Sequence, residues 1–378
     1  MYPVNSKLHE QLQSRAKKGL HRKLKNNSKN LIDFFSNDYL GLVHYGIIKA
    51  KMANGGDLPS GSTGSRLLGG NSVRTELLEK RIAEFHYAES ALLYNSGYDA
   101  NLGFLSCIPQ KGDFIFYDEL SHASIIDGLS VSYAKPIKFL HNDLNDLEKK
   151  IKLQALHDQN VFVITESVYS MDGDAAPLKE LSDFCNKNHF HLVVDEAHAV
   201  GVFGINGEGK CVEKSIEHSC YARIVTYGKA FGVHGAAICG DSILTDYLIN
   251  FSRPFIYSTS LPAHTVESLH HAYHIMNVEG RELRKKLFEN ISYFNQRFQH
   301  VQGYQKSQTP IQTIIIPGNE QVDKISKYLI DKGFDIRPIK SPTVRAGKER
   351  LRICLHSFNT HEEINNLFLA LSEASLHN

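Results

Sequence analysis

Short β-type runs alternate with helical patterns through the middle of the chain. The runs that predict strands are 91–94, 113–117, 161–165, 191–194, 224–226 and 236–239. Strands joined through helices lie parallel to one another, because a helical crossover returns the chain to the same edge of the sheet. The sequence therefore predicts an α/β fold, with a mostly parallel sheet flanked by helices.

The ends of the chain differ from this middle part. A basic segment with Leu at helical spacing, at about 8–25, predicts an amphipathic N-terminal helix. After the alternating region, strands are predicted at 313–316, 336–337 and 351–355, and a last helix from about residue 362. We therefore expect an N-terminal helix and connecting segment at 1–45, a large α/β domain at 46–270 and a smaller α+β domain at 271–378.

Charge and composition exclude several classes of function. The chain has 378 residues and a formal net charge of +1, which does not predict nucleic-acid binding. No run approaches the roughly 20 apolar residues of a membrane span, and the start lacks the apolar core of a signal peptide. The six cysteines have no metal-ligand spacing and are typical of reduced thiols. A soluble, cytoplasmic protein that binds neither membranes nor nucleic acids is expected.

An amine and a carboxylate follow two of the predicted strands. Asp195 ends the run 192–195, and Lys229 lies between glycines just after the run 224–226. Pyridoxal phosphate (PLP) requires a primary amine that condenses with its aldehyde and a carboxylate that keeps its ring nitrogen protonated. A single lysine is more often an ordinary surface residue, but its position at a strand end favours a cofactor site.

Other strand ends carry further polar groups. Gly97 and Tyr98 follow the run 91–94, where free amides at a helix start can hold a phosphate. His122 and His198 follow two other runs. With 20 histidines in the chain, each of these is individually more often a surface or core residue. Their recurrence with acids at strand ends indicates a shared site.

Two patterns indicate sites that the chain does not support. The run 204–211 resembles a phosphate-binding loop, but Cys211 replaces the Ser or Thr that would bind magnesium. His270, His271 and His274 share a predicted helix, yet no carboxylate has the spacing of a fourth metal ligand, so solvated histidines are expected. No metal site is predicted.

Seven motifs spread over nearly the whole chain resemble the α-oxoamine synthases, a family of fold-type I PLP enzymes. They are FSNDYLGL at 35–42, GSRLL at 64–68, DELSHAS at 118–124, SMDGD at 170–174, DEAH at 195–198, TYGKAFG at 226–232 and RLR at 350–352. Within the family, IYSTSLP at 256–262 and PTV at 342–344 are similar to the members that use L-alanine in biotin biosynthesis. The resemblance implies a PLP-dependent transferase with a large and a small domain.

This resemblance implies a role for each matching cofactor residue. Lys229 would hold PLP and then remove the Cα proton of the amino acid, and Asp195 would pair with the ring nitrogen. His122 would stack on the ring, and His198 would bond the phenolic oxygen. The residues expected to position the cofactor, largely through its phosphate and ring substituents, are Thr226, Ser170, Gly97 and Tyr98, with Ser258 or Thr259 reaching the phosphate from a second subunit.

The resemblance also implies substrate contacts and a reaction. Arg352 with Asn37 would clamp the substrate carboxylate, because a guanidinium matches that planar anion. Arg22 and Thr343 match positions along the path of the acyl substrate. The implied reaction is a decarboxylating condensation of L-alanine with pimeloyl-coenzyme A or its carrier-protein equivalent, in a homodimer with shared active sites.

Alternatives to this substrate assignment remain open at the level of sequence. A glycine-using relative with a shorter acyl group would have the same machinery, and a catalytically silent partner subunit also occurs in the wider family. Retention of Lys229, Asp195, His122 and Arg352 argues against the silent subunit. Arg345 stands where Pro is frequent and Asn359 where His is usual, in the segment that should choose the acyl group.

Overall fold

A seven-stranded sheet forms the centre of the large part of the fold, in the spatial order β2-β8-β7-β6-β5-β3-β4. Only β8 runs antiparallel to its neighbours, so the sheet is mostly parallel, as the sequence predicts. In the computed structural model, residues 3–22, 24, 31–53, 58–156 and 158–376 are described. The strands of this sheet are β2 (Ser90–Tyr94), β3 (Phe114–Asp118), β4 (Lys135–Phe139), β5 (Val161–Glu166), β6 (His191–Asp195), β7 (Cys220–Thr226) and β8 (Ala236–Gly240).

Helices cover both faces of this sheet and extend to both ends of the chain. They are α1 (Pro3–Lys17), α2 (Ile47–Met52), α3 (Val73–Phe85), α4 (Gly97–Cys107), α5 (Ala123–Val131), α6 (Leu144–Lys152), α7 (Leu178–Asn188), α8 (Lys210–Glu213), α9 (Ser242–Phe251), α10 (Arg253–Ile256), α11 (Ala263–Val278), α12 (Gly280–Phe298), α13 (Asn319–Asp331) and α14 (His361–Leu376). Among the described residues, no helix is both long enough and apolar enough to cross a bilayer.

The central strands are apolar on both faces because helices cover both. Every residue of β5 is buried, which is typical of a strand in the interior of a parallel sheet. Ile164 packs in a cluster with residues of α4, α5 and α9, whereas the adjacent Val163 packs with residues of α6 and α7 on the opposite face. Alternate side chains of one strand thus anchor two helical layers.

A second sheet of four antiparallel strands lies in the C-terminal part, in the order β12-β13-β10-β9. A separate two-stranded pair joins β1 to β11 in parallel, which fastens the segment after α1 to the C-terminal part. The strands are β1 (Ile32–Asp33), β9 (Tyr304–Gln305), β10 (Ile311–Ile315), β11 (Phe334–Asp335), β12 (Arg337–Ile339) and β13 (Arg350–Cys354).

Two local predictions were wrong, and one strand was not predicted. The first helix starts at Pro3 and ends at Lys17, because Gly19 adopts a left-handed backbone (φ 66°) that closes the helix end. Of the predicted span, Lys23 and Lys25 lie outside the described residues. Ile336 lies between β11 and β12 rather than inside a strand. Strand β4 was not predicted, because its Lys and Pro residues are untypical of a strand. It lies at the edge of the sheet, where Pro is tolerated.

Candidate active site

A cavity of about 230 Å³ opens at the carboxyl ends of the central strands, where ligands bind in open α/β sheets. The residues that line it come from segments far apart in the sequence. They are Asn37, Ser96, Gly97, Tyr98, Asn101, His122, Ser124, Glu166, Asp195, Ala197, His198, Thr226, Gly228, Lys229, His234 and Gly235. Eight residues that the sequence singles out are brought together here: Asn37, Gly97, Tyr98, His122, Asp195, His198, Thr226 and Lys229.

Lys229 lies in the tight turn between β7 and β8. The amide of Gly232, whose φ is 62°, donates to the Lys229 carbonyl at 2.8 Å, so the chain reverses directly beyond the lysine. Burial lowers the pKa of the Lys229 ammonium, although the nearby Asp195 opposes this shift. The Lys229 amine therefore lies in the cavity, and it loses its proton more readily than a surface lysine does.

Asp195 ends β6, and its two carboxylate oxygens have separate partners. Asn101 Nδ2 donates to Oδ2 at 2.8 Å, and the amide of Ala197 donates to Oδ1 at 2.9 Å. Asn101 lies on α4 and also bonds Ser124 Oγ at 3.0 Å. These bonds fix the plane of a buried carboxylate at the floor of the cavity.

His122 forms the N-cap of α5 and is held at three points. Its Nδ1 lies 2.8 Å from Ser124 Oγ and accepts from the Ser124 amide at 3.2 Å. Its own amide donates to Glu166 Oε1 at 2.5 Å. Burial lowers the pKa of the His122 imidazole; Asp195 opposes this shift and Lys229 adds to it. The ring is thereby kept neutral and in one orientation, as a stacking surface requires.

His198 and Glu166 are buried titratable groups whose surroundings favour their neutral forms. Burial, together with the charges of Lys229 and Arg352, holds the pKa of His198 well below its usual value. Burial, followed by the nearby Asp195 charge, raises the pKa of Glu166 well above its usual value. A neutral imidazole and a neutral carboxylic acid thus lie beside the ionised groups of the cavity.

The start of α4 forms a cradle for an anion. The amides of Gly97 and Tyr98 belong to the first turn, where a helix supplies no internal acceptor. A Cβ added at Gly97 would lie only 2.6 Å from Thr226 Cγ2, so any larger residue would force β7 and α4 apart. This cradle, the amine and the buried carboxylate match the phosphate, aldehyde and ring nitrogen of PLP, so the residues present fit that cofactor.

Arg352 on β13, in the C-terminal part, lies behind Asn37, which lines the cavity. Its Nη2 donates to Asn37 Oδ1 at 2.9 Å, and its Nε donates to the Ser170 carbonyl at 2.6 Å. Ser170 is therefore placed behind the guanidinium, through its main chain. The remaining face of this buried guanidinium can receive a carboxylate.

Four other predicted residues lie away from this cavity. Ser258 and Thr259 line a separate cavity together with Arg66. Arg22 and Thr343 are exposed. Lys340 Nζ donates to the Gly19 carbonyl at 3.1 Å, which brings the segment after α1 to the loop that carries Thr343. The structure thus places Arg22 and Thr343 in neighbouring segments.

The two substitutions that depart from the family pattern have different surroundings. Asn359 is buried, accepts from the His356 amide at 2.9 Å and donates to the Asp33 carbonyl at 3.1 Å. Arg345 is exposed, and its guanidinium pairs with Glu119 at 2.7 Å. Asn359 therefore serves the packing of the C-terminal part, whereas Arg345 lies at the surface beside the loop that carries His122.

Sequence reasoning assigned no role to Asn101, Ser124, Glu166 or Tyr39, whose side chains bond residues of the site. Tyr39 lies in the run 35–42, and its hydroxyl lies 2.8 Å from His198 Nδ1. No sequence pattern around Asn101 predicts its role, because it lies within α4 and bonds Asp195, which is 94 residues away in the sequence. Glu166 directly follows the predicted strand 161–165, so the sequence places it at a strand end but gives it no role. Ser124 lies in the motif at 118–124 and on α5.

Comparisons with known proteins agree with this geometry. A family model described as aminotransferase class I and II matches residues 29–371. The 8-amino-7-oxononanoate synthase of Emericella nidulans is 39% identical over 96% of this chain and 94% of its own length. The solved 8-amino-7-oxononanoate synthase of Francisella tularensis is 30% identical, with a TM-score of 0.77 over 93% of this chain and 99% of that chain.

A second kind of solved structure superposes on nearly the whole chain. A serine palmitoyltransferase variant from S. paucimobilis, solved with a PLP–myriocin aldimine bound, has a TM-score of 0.89 and 25% identity. The alignment covers 98% of this chain and 97% of that chain. The predicted fold class, an α/β fold-type I transferase with a mostly parallel sheet, is confirmed.

Proposed function

The chain belongs to the aminotransferase class I and II family, and we propose that it condenses L-alanine with a pimeloyl thioester to give 8-amino-7-oxononanoate. Carbon dioxide and the free thiol of coenzyme A or a carrier protein are the other products, and the pathway is biotin biosynthesis. The protein is a PLP-dependent acyltransferase. The observation that carries the proposal is that Lys229, Asp195 and Asn37 line one cavity, with Arg352 bonded to Asn37.

When bound, PLP supplies an aldehyde for the amino group of the substrate and a ring that accepts negative charge. Asp195, fixed by Asn101 and the Ala197 amide, would hold the ring nitrogen and its proton. The amides of Gly97 and Tyr98 would hold the phosphate, with Thr226 packed behind them. His122 would cover one face of the ring and exclude water from it.

Lys229 and Arg352 would act on the amino acid. Arg352, oriented by the Ser170 carbonyl and Asn37, binds the carboxylate of L-alanine and so aims the Cα–H bond. The Nζ of Lys229 then removes the Cα proton, for which its lowered pKa suits it. Over the whole reaction, Cα of L-alanine bonds to the acyl carbon in place of the thiol, which leaves with a proton equivalent to the one removed from Cα. The bond from Cα to the carboxylate breaks, carbon dioxide leaves, and a proton from solvent takes its place on Cα.

The acyl donor is assigned through the named relatives, since both the fungal and the bacterial synthases align over nearly their whole length. We propose that Arg22 and Thr343 border the acyl path, which the contact between Gly19 and Lys340 supports. Lys17, Lys18 and Arg22 add positive charge near this path. Phosphate groups of coenzyme A or an acidic carrier protein would be attracted to them.

We also propose a homodimer with shared active sites in the cytoplasm. The cavity lined by Ser258 and Thr259 is separate from the main one within a protomer, as expected of residues that serve the partner's cofactor. All six cysteines are free thiols, which suits a reducing compartment.

The test is thiol release by the purified, PLP-loaded protein with pimeloyl-coenzyme A, comparing L-alanine with glycine. Release should require L-alanine and fall by a factor of about 10² to 10⁴ in Lys229→Ala, as expected when a general base is removed. Lys210→Ala is the matched control, because Lys210 pairs with Glu213 on α8 away from the cavity. Release only with glycine and acetyl-coenzyme A would show instead a glycine-using member of the family.

A further inference from the structure

A chain of hydrogen bonds runs from the carboxylate clamp to His198. Arg352 Nη2 donates to Asn37 Oδ1 at 2.9 Å, and the Tyr39 hydroxyl lies 3.1 Å from the same oxygen and 2.8 Å from His198 Nδ1. Tyr39 is 1% exposed and His198 and Arg352 are each 6% exposed, so bulk water does not compete for these bonds. The chain joins the group that receives the substrate to a group that faces the cofactor.

Tyr39 has one proton and two acceptors within reach. Burial raises the pKa of the Tyr39 phenol, so the proton stays on the oxygen at any working pH. His198 is neutral and carries one ring proton. If Tyr39 donates to His198 Nδ1, the ring proton of His198 lies on Nε2; if Tyr39 donates to Asn37 Oδ1, that proton lies on Nδ1 instead.

We propose that Tyr39 is a positioning residue that couples the occupancy of the Arg352–Asn37 clamp to the tautomer of His198. This rests on the proposed function, because it takes the clamp as the site of the substrate carboxylate and His198 as the partner of the cofactor's phenolic oxygen. Tyr39 touches neither substrate nor cofactor; it acts through Asn37, through His198 and through its own contact with Arg352.

The direction of this coupling follows from the acceptor strength of Asn37 Oδ1. While Arg352 donates to it, this oxygen is a weak competitor for the Tyr39 proton, and the shorter contact of Tyr39 is with His198. Tyr39 then donates to Nδ1, and His198 presents Nε2–H as a donor. A carboxylate that draws Arg352 toward itself frees Asn37 Oδ1, which attracts the Tyr39 proton and favours the opposite tautomer.

The first measurement is a pH titration of the visible absorption band of the cofactor in the loaded protein. In Tyr39→Phe the midpoint should rise by about half a pH unit or more, because the phenolic oxygen loses a fixed donor that stabilises its anion. The charged and titratable groups that face His198 are Lys229, Arg352 and His122, and Tyr39→Phe leaves all three in place.

The matched control is Tyr273→Phe. Tyr273 is fully buried, and its hydroxyl lies 2.9 Å from His86 Nε2, so this variant also loses a buried Tyr–His bond, but outside the cavity lining. Both variants should lose comparable thermal stability, and only Tyr39→Phe should move the absorption midpoint. If Tyr39→Phe titrates at the wild-type pH, the coupling is wrong.

The second measurement adds propionate, which has the carboxylate of L-alanine without its amine. Propionate should shift the midpoint in the wild type and shift it less in Tyr39→Phe, since direct charge effects persist but the relay is gone. The effects of Asn37→Ala and Tyr39→Phe on this response should be non-additive. If propionate shifts the midpoint equally in the wild type and in Tyr39→Phe, Tyr39 does not couple the two sites and serves only in packing.

These measurements use no acyl donor. They therefore succeed or fail independently of whether pimeloyl-coenzyme A is the second substrate, and only the assay of thiol release tests that assignment. If Tyr39→Phe is too unstable to load with cofactor, the Asn37→Ala protein with and without propionate still tests the relay. A wild-type propionate response in Asn37→Ala would overturn the coupling.

Discussion

At the scale of single residues, burial controls the chemistry of the cavity more than pairing does. For Lys229, His198 and Glu166, burial is the largest cause of the pKa shift, and each shift favours the neutral form. Asp195 instead receives two hydrogen-bond donors, from Asn101 and the Ala197 amide. Two acids at the ends of adjacent strands are thus held differently: burial dominates at Glu166 and hydrogen bonding at Asp195.

Glu166→Gln should be nearly neutral for activity, within about threefold, because an amide oxygen can still accept from the His122 amide. The raised pKa of Glu166 means that wild-type stability falls as pH rises above 4.5, the ordinary value for Glu, toward the folded value. The unfolding free energy of Glu166→Gln minus that of the wild type should therefore increase as pH rises. Denaturant titration at several pH values measures this difference.

Glu166→Ala is the contrasting variant. It leaves the His122 amide without its acceptor, and a loss of about 1–3 kcal/mol in unfolding free energy is expected. A tenfold or greater drop in thiol release by Glu166→Gln would contradict the neutral-acid assignment, since it would show that the carboxyl charge or proton is used.

Asn101→Ala should lower turnover by a factor of about 10 to 100, because it removes a hydrogen bond to a charged carboxylate worth about 1.5–3 kcal/mol. The Asp195 carboxylate would then keep only the Ala197 amide as a fixed partner. Cofactor retention after dialysis should fall together with turnover. Asn290→Ala serves as control, since Asn290 is a buried donor to the carbonyls of His356 and Asn359 in the C-terminal part; an equal loss of turnover there would indicate a general stability effect.

At the scale of elements, His141 ties the loop after β3 to the segment after β5. Its Nδ1 bonds the fully buried Asp118 at 2.9 Å, and its Nε2 bonds Asp174 at 2.7 Å. Asp118 also accepts the Leu120 amide two residues before His122. The bridge therefore connects the loop that positions His122 with the segment whose Ser170 carbonyl orients Arg352.

This bridge predicts a pH dependence of stability. Despite burial, the bonds to Asp118 and Asp174 raise the pKa of His141 from 6.5 to about 10. Its contribution is fully present below pH 6.5 and is lost as pH rises through about 10. His141→Gln should cost about 1.5–3 kcal/mol of unfolding free energy at pH 6, and less as pH approaches 10.

The control for this experiment is His218→Gln. His218 contacts Glu217 at 3.6 Å with its side chain 78% exposed, and such surface pairs contribute about 1 kcal/mol or less. Lysines and cysteines that titrate in the same pH range affect both variants equally. Their contribution to stability therefore cancels when the two variants are compared at each pH. A cost of His141→Gln that is constant from pH 6 to pH 10 would show that the bridge is not ionic.

Sequence predicts the buried strands well and the exposed edge strand β4 poorly. Strands β5 and β6 are continuous apolar runs, so their pattern alone identifies them. Strand β4 is exposed at Lys135, Pro136 and Lys138. It forms a strand because it pairs with β3, and the local sequence does not predict this pairing. Site residues that follow strands were found for the same reason, whereas Asn101 and Tyr39 depend on contacts across the fold.

The proposed domain limits at residues 45 and 270 remain a prediction.

At the scale of the whole molecule, the site is assembled from distant parts of the chain. Asn37 and Tyr39 precede the large sheet, Lys229 and Asp195 follow its strands, and Arg352 comes from β13. Pairing of β1 with β11 holds the first of these segments against the C-terminal part. A substrate that binds between Arg352 and Lys229 therefore bridges two sheets, so displacement of either sheet would change the aim of the Cα–H bond.

An exposed apolar patch beside the second cavity supports the dimer and permits its test. Leu67, Leu68 and Tyr257 are 51%, 83% and 72% exposed, and the Arg66 guanidinium lies 5.6 Å from the centre of the Phe255 ring, which ties their segments together. Such a patch beside predicted phosphate contacts is typical of an interface between subunits. Leu68→Glu should therefore shift the protein from dimer to monomer in sedimentation velocity, and cofactor affinity should fall with it.

Leu153→Glu is the matched control, because Leu153 is 73% exposed at the end of α6 and lies outside this patch. It should remain dimeric and retain its cofactor. If the subunits share their sites, cofactor affinity in Leu68→Glu should recover at protein concentrations high enough to restore the dimer, since binding and association are then linked. A monomeric Leu68→Glu that binds PLP as tightly as the wild type would show that each protomer holds its cofactor alone, and the role proposed for Ser258 and Thr259 would fail.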